Sequence, residues 1–205
     1  MVDKNEFIHL LVQEGALRFG TFTLKSGIKS PFFINLGDIC SGRALQGIGQ
    51  ALAQTMHDYF KSVTIAYGPP YKGISLITAT AISWLNMFQK DIHTLYSRKE
   101  AKGHGEQGRF VGRLPRSTDH IVVIDDVLST GGTKVEAIRQ LEETFDCKVE
   151  GVLVTVDRRS KGTENNLGNY PLRAIITLTD IIEYLQAEQN PHAQEMRAFY
   201  EGNYE

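Results

Sequence analysis

Apolar positions along this chain recur with two spacings, and the two take turns. Phe7, Leu10, Leu11 and Ala16 carry the spacing of one face of an amphipathic helix. T-F-T-L-K-S-G-I-K-S-P-F-F-I-N, from Thr21, then alternates with breaks at Gly27 and Pro31, which predicts two short strands joined by a turn. Leu45, Ile48, Leu52 and Met56 mark a helix from about Gly42 to Phe60. A short apolar run, Val63 to Tyr67, is closed by G-P-P-Y-K-G, and Ile74 to Phe88 returns to helical spacing. Thr94 to Ser97 opens another strand. Lys99 to Pro115 is polar and broken by Gly103, Gly105, Gly108 and Gly112, the make-up of a mobile loop.

Ile121 to Ile124 is an unbroken apolar four, as a parallel strand covered on both faces requires. Thr133 to Phe145 follows as a helix with Val135, Ile138, Leu141 and Phe145 inward, and Thr133-x-x-Glu136 suggests a capping box at its start. Val152 to Val156 is the next strand, and Thr179 to Leu185 and Pro191 to Tyr200 read as two short helices. Strands alternating with helices imply an α/β class with a doubly wound parallel sheet. Residues 1–40 precede that alternation and are expected to form a small hood over one end.

A length of 205 residues fits one domain with a sizeable core. The charge of -2 argues against a protein whose main task is gripping nucleic acid, which calls for a basic excess. Cys40 and Cys147 are far apart and lack metal-site spacing, so two buried structural thiols are expected. M-V-D-K-N-E-F does not read as a secretory leader, and no apolar run approaches the roughly 20 residues of a membrane helix. A cytoplasmic protein with no membrane partner is expected.

Against this ordinary background, I-V-V-I-D-D-V-L-S-T-G-G-T, Ile121 to Thr133, stands out. A buried strand runs into two adjacent carboxylates and then into hydroxyls and glycines. In an open parallel sheet, ligands gather beyond the carboxyl ends of the strands. Glycines for close approach, hydroxyl donors and a helix N-terminus make an anion nest. Asp125 and Asp126 would accept vicinal hydroxyls and the loop would receive a phosphate, a pairing that ribose 5-phosphate satisfies. A strand-turn-helix with solvated aspartates is the other reading of the same residues. The residues by themselves do not choose between the two.

V-V-I-D-D-V-L-S-T-G-G-T resembles the phosphoribosyl pyrophosphate (PRPP) motif of type I phosphoribosyltransferases. F-T-L-K-S-G-I-K-S-P-F-F-I-N, G-P-P-Y-K-G-I and S-R-K-E-A-K-G-H-G-E-Q-G resemble segments of the orotate phosphoribosyltransferase family, in that family's order, and together the matches span most of Phe22 to Arg158. Gly103 to Gly108 also satisfies G-x-G-x-x-G, but Gly112 and Pro115 forbid the long helix that a dinucleotide site needs. Six Lys or Arg residues between Arg98 and Arg116, against two glutamates, suit a highly charged anion, although Arg109, Arg113 and Arg116 read more simply as solvated.

The resemblance implies a central parallel sheet flanked by helices, with the hood at residues 1–40 and a lid at 99–115. It implies transfer of phosphoribosyl from PRPP to N1 of orotate, giving orotidine 5'-phosphate and pyrophosphate, a step of pyrimidine (UMP) biosynthesis. Mg2+ would be held by PRPP and waters rather than directly by protein, and a homodimer would place lid residues Lys102 and His104 over the neighbouring subunit's site. Tyr71, Lys72, Arg98 and Lys99 would meet the diphosphate, and Lys25 would reach it and orotate from the hood. Asp125 and Asp126 would hold the ribose hydroxyls, while Val127, Leu128, Ser129, Thr130, Gly131, Gly132 and Thr133 would wrap the 5-phosphate. Orotate would meet Phe33, Ile34, Ser129 and Arg158. At 34 the family often has an aromatic residue, and at 129 a threonine, so a hydroxyl is retained only at the second. A phosphoribosyltransferase for a purine, or a regulator on the same fold, are the alternatives. Arg158 speaks against the first, and a retained Lys102 with net negative charge against the second.

Overall fold

The computed structural model describes residues 2–24, 27–98, 109–129 and 131–204. The chain opens with α1 (Lys4–Gln13), capped by the Asp3 carboxylate on two backbone N–H groups. β1 (Leu17–Thr23) and β2 (Lys29–Ile34) then form an antiparallel hairpin. After α2 (Gly42–Tyr59) come β3 (Ile65–Gly68), α3 (Lys72–Phe88), β4 (His93–Ser97), β5 (Phe110–Gly112), β6 (His120–Leu128), α4 (Gly132–Thr144), β7 (Lys148–Asp157), β8 (Leu172–Thr177), α5 (Leu178–Ala187) and α6 (His192–Tyr200). The described strands β3 to β8 make one sheet in the order β5-β4-β3-β6-β7-β8, parallel except for the antiparallel edge strand β5.

The apolar four is what anchors β6 at the centre. Its side chains alternate strictly between two cores: Val122 and Ile124 join the cluster of α2, α3 and α5, whereas Ile121 and Val123 join that of α4. All four side chains are fully buried, so no polar face is needed. Phe7, Ile8 and Leu11 of α1 and Phe32 and Ile34 of β2 belong to the first cluster, which makes the hood continuous with the main core. The tail helices close this end, with Phe199 of α6 meeting Phe32 edge-on at 5.2 Å.

Several expectations change. β6 does not stop at Ile124 but continues through both aspartates to Leu128, paired to β7 as far as Asp157. β5 falls inside the span expected to be all loop, residues 99–108 of which lie outside the described residues. Phe110 of β5 is buried against Phe145 and Tyr67, which is why a strand forms there. α4 begins at Gly132 with Gly131 as its cap and no side-chain capping bond, so Thr133 and Glu136 form no capping box; that device sits instead at Thr177 and Asp180 of α5. Cys40 is exposed and Cys147 half-buried, rather than both buried.

At the end of the sheet opposite the acid pair, Asp119 is 4% exposed. Arg113 Nη1 at 2.8 Å, the Arg116 N–H at 2.8 Å and Thr64 Oγ1 at 2.9 Å donate to it. Burial alone would raise its pKa, and these donors overcome that and hold it below the usual carboxylate range. Its contribution is therefore present above the ordinary carboxylate pKa of about 4 and is lost as pH falls through the lower folded value. Asp119→Ala leaves Arg113 unpaired and is expected to cost about 3 kcal/mol in urea denaturation at pH 7.

Candidate active site

From β3 the chain moves outward to β4, and from β6 it moves the other way to β7 and β8. The crevice between the carboxyl ends of β3 and β6 is thus the switch point of the sheet, where such folds bind ligands. Gly68 and Gly73 bring β3 and α3 together there: a Cβ on Gly68 would lie 2.4 Å from the Gly73 carbonyl oxygen. That approach places Pro69 to Lys72 at the mouth of the crevice, with the Pro70–Tyr71 peptide cis.

Alternation along β6 carries on into the acid pair. Asp125 turns to the α4 side, where Lys134 Nζ meets its Oδ2 at 2.8 Å. Asp126 turns to the α3 side, where Lys72 Nζ meets its Oδ2 at 2.7 Å. Each carboxylate also takes the next backbone N–H, from Asp126 at 2.9 Å and from Val127 at 2.8 Å. Thr155 of β7 donates to the Asp126 carbonyl oxygen. Burial raises the pKa of Asp125, with Lys134 opposing and Asp126 adding to the rise.

Beyond the acids, Val127 is partly buried and Leu128 fully buried, whereas Ser129, Gly132 and Thr133 are exposed and Gly131 turns the chain at φ 96°. The first backbone N–H groups of α4 open there. Pro69, Pro70, Ser97, Arg98, Arg109 and Thr133 line one cleft beside it, so the ends of β3 and β4 and the start of α4 share a surface. Tyr67, its pKa raised by burial, donates to or accepts from Ser97 Oγ at 2.9 Å in its floor. Tyr71 is 64% exposed at the rim.

Arg158 follows β7, its N–H bonded to the Leu128 carbonyl oxygen at 3.0 Å. The neighbouring carboxylate of Asp157 is occupied by Arg159, at 2.7 and 3.0 Å. Arg158 is half-buried, and burial lowers its pKa. Among the described residues no carboxylate pairs with it.

The expected residues are therefore brought together unequally. Tyr71, Lys72, Arg98, Asp125, Asp126, Val127 to Ser129, Gly131 to Thr133 and Arg158 all cluster at the carboxyl ends of β3, β4, β6 and β7. Phe33 and Ile34 lie on the hairpin. Ile34 packs into the core, while the Phe33 ring faces the other way, 5.6 Å from Phe22 and 5.3 Å from the Arg18 guanidinium. The turn after β2 does reach the site, since a Cβ on Gly37 would lie 3.5 Å from Lys72 Cε. Lys25, Lys99, Lys102, His104 and Thr130 lie outside the described residues. Lys134 was not anticipated. Its signal was present: a lysine in the first turn of a helix opposes the helix dipole unless an acid holds it.

Comparison with known proteins agrees with this geometry. Residues 40–184 match the family model described as a phosphoribosyl transferase domain. The orotate phosphoribosyltransferase of Chromohalobacter salexigens is 35% identical over 96% of this chain and 92% of its own length. That of Pseudomonas aeruginosa is 36% identical over 96% and 95%. The crystal structure of orotate phosphoribosyltransferase from Francisella tularensis superposes with a TM-score of 0.82 at 27% identity, covering 100% of this chain and 98% of that one. The match over residues 40–184 makes the class of this fold that of a phosphoribosyltransferase. The chain belongs to the orotate phosphoribosyltransferase family.

Proposed function

We propose that the protein transfers the phosphoribosyl group of PRPP to N1 of orotate, releasing pyrophosphate and forming orotidine 5'-phosphate. The observation that carries this reading is the placement of three recognition elements on adjacent strand ends: the lysine-held acid pair, the open start of α4, and the half-buried Arg158. Asp125 and Asp126 accept the ribose hydroxyls and the loop from Val127 to Thr133 receives the 5-phosphate. Tyr71, Lys72, Arg98 and Lys99, with Lys25 from the hood, hold the diphosphate. Arg158 pairs with the orotate carboxylate, beside Ser129 and the backbone of the hairpin residues Phe33 and Ile34, whose side chains are turned to Phe22 and to the core.

N1 attacks C1 of the ribose as the bond from C1 to the pyrophosphate oxygen breaks, and the N1 proton passes to the departing pyrophosphate or to solvent. No side chain is needed as nucleophile. What the chain supplies is charge opposite the departing pyrophosphate and exclusion of water, with Lys102 and His104 on the lid. Asp125 and Asp126 are both engaged by lysines, a donor set that suits Mg2+ carried by the substrate's oxygens and waters better than direct ligation. When bound, that ion neutralises charge on the leaving group.

A homodimer, with each lid closing over the other subunit's site, is part of this reading. Ile82, Leu85 and Met87 expose large apolar side chains on α3, a face that a second copy could bury. A cytoplasmic setting is part of it too; among the described residues no helix is long and apolar enough to cross a membrane.

The ultraviolet absorbance of orotate, followed with protein, PRPP and Mg2+, tests the reading. Loss of the orotate signal is expected, dependent on the metal and reduced at least a hundredfold in rate by Lys102→Ala. A signal that never changes rejects orotate as substrate.

A further inference from the structure

Lys134 occupies the first turn of α4, the helix end at which a cation is electrostatically misplaced. Its side chain is nevertheless 6% exposed. A buried ammonium is tolerated only when paired and hydrogen-bonded. Two of its donors are accounted for, one on Asp125 Oδ2 at 2.8 Å and one on the Val127 carbonyl oxygen at 3.0 Å. Lys72 makes a contrasting pair: it is 44% exposed and can leave Asp126 for an incoming anion, whereas Lys134 has nowhere else to go.

The groups around Asp125 are Lys134 from α4, the Asp126 carboxylate and N–H on its own strand, and the Tyr67 phenol from β3. Burial and the Asp126 charge favour a neutral Asp125, and Lys134 is the cation in contact with it. A neutral Asp125 would lose charge-assisted acceptance of a ribose hydroxyl.

We propose that Lys134 is a positioning residue for phosphoribosyl binding: anchored on the Val127 carbonyl oxygen and held against Asp125 Oδ2, it keeps Asp125 ionised and aimed. This rests on the function proposed above for the same site.

The test titrates the Asp125 carboxyl by 13C NMR, assigned through its loss in Asp125→Asn, and needs no substrate. Lys134→Met is expected to move the midpoint up by at least one pH unit, and Lys134→Arg to restore it. In turnover, Lys134→Met is expected to lower kcat/KM for PRPP at least tenfold at pH 7, with recovery as pH rises through the new midpoint and KM for orotate unchanged. An unmoved midpoint, or an equal loss at every pH, overturns the proposal. Should Lys134→Met fail to fold, the double variant with Asp125→Asn removes both charges and is expected to match Asp125→Asn alone. A further tenfold loss in that double variant also overturns it. A midpoint that shifts as expected in Lys134→Met, when the wild-type protein is inactive on orotate, rejects the proposed function and leaves the positioning of Asp125 by Lys134 standing.

Discussion

Arg158→Met is expected to lower kcat/KM for orotate about a hundredfold while raising the thermal midpoint. The two signs come from one feature. Arg158 is half-buried with no carboxylate on it among the described residues, while Asp157 beside it is committed to Arg159. A cation held that way destabilises the free protein, so an apolar side chain of similar length relieves a cost. In the proposed complex the same guanidinium would gain the planar carboxylate of orotate, and losing a charge-assisted pair worth about 3 kcal/mol corresponds to the hundredfold. Steady-state kinetics and a melting curve on one preparation check both halves. A fall in activity with a fall in stability would point to a structural role instead.

Two adjacent glycines are expected to affect stability in opposite ways. At Gly131, φ is 96° and a Cβ would lie 3.0 Å from Leu167, so Gly131→Val adds a left-handed penalty of about 1–2 kcal/mol to an overpacking cost of about 1–3 kcal/mol. KM for PRPP is expected to rise at least tenfold, because the turn that aims the first N–H groups of α4 cannot form. At Gly132 a Cβ meets nothing within 4 Å. Gly132→Ala is therefore expected to keep or slightly increase stability. It is still expected to raise KM for PRPP, since under the proposed function a methyl there would stand where the phosphate approaches. Urea denaturation with PRPP kinetics separates the two. If Gly132→Ala leaves KM unchanged, the phosphate does not approach that backbone.

Much of the site was legible because its parts are local. The apolar four, the acid pair and the glycine turn lie within thirteen consecutive residues, Ile121 to Thr133, so their grouping at one strand end is visible without knowing what packs on them, and the family resemblance then favours a ligand site over a solvated turn. The length of β6 was not legible. Consecutive aspartates look like a strand's end, and only the partners on opposite faces, Lys134 and Lys72, let the strand run through them.

The edge strands were missed for a related reason. β8 buries Ile175 and Ile176 in succession and exposes Arg173, which stacks over Tyr59 of α2 at 4.5 Å, so no period of two marks it. β5 is three residues long and is held by Phe110 finding Phe145. The capping box assigned to Thr133 failed because Gly131, not a hydroxyl residue, caps α4. The tail helices had no visible purpose in the sequence, since the contact of Phe199 with Phe32 spans almost the whole chain.

The proposed function requires that Arg158 and the acid pair together select a carboxylated pyrimidine and PRPP. It is tested most directly by measuring pyrophosphate release from PRPP with orotate, uracil, adenine and hypoxanthine in parallel. Rapid release is expected with orotate and at least a thousandfold less with uracil, which lacks only the carboxylate, and with either purine. Comparable release with uracil or a purine would contradict it.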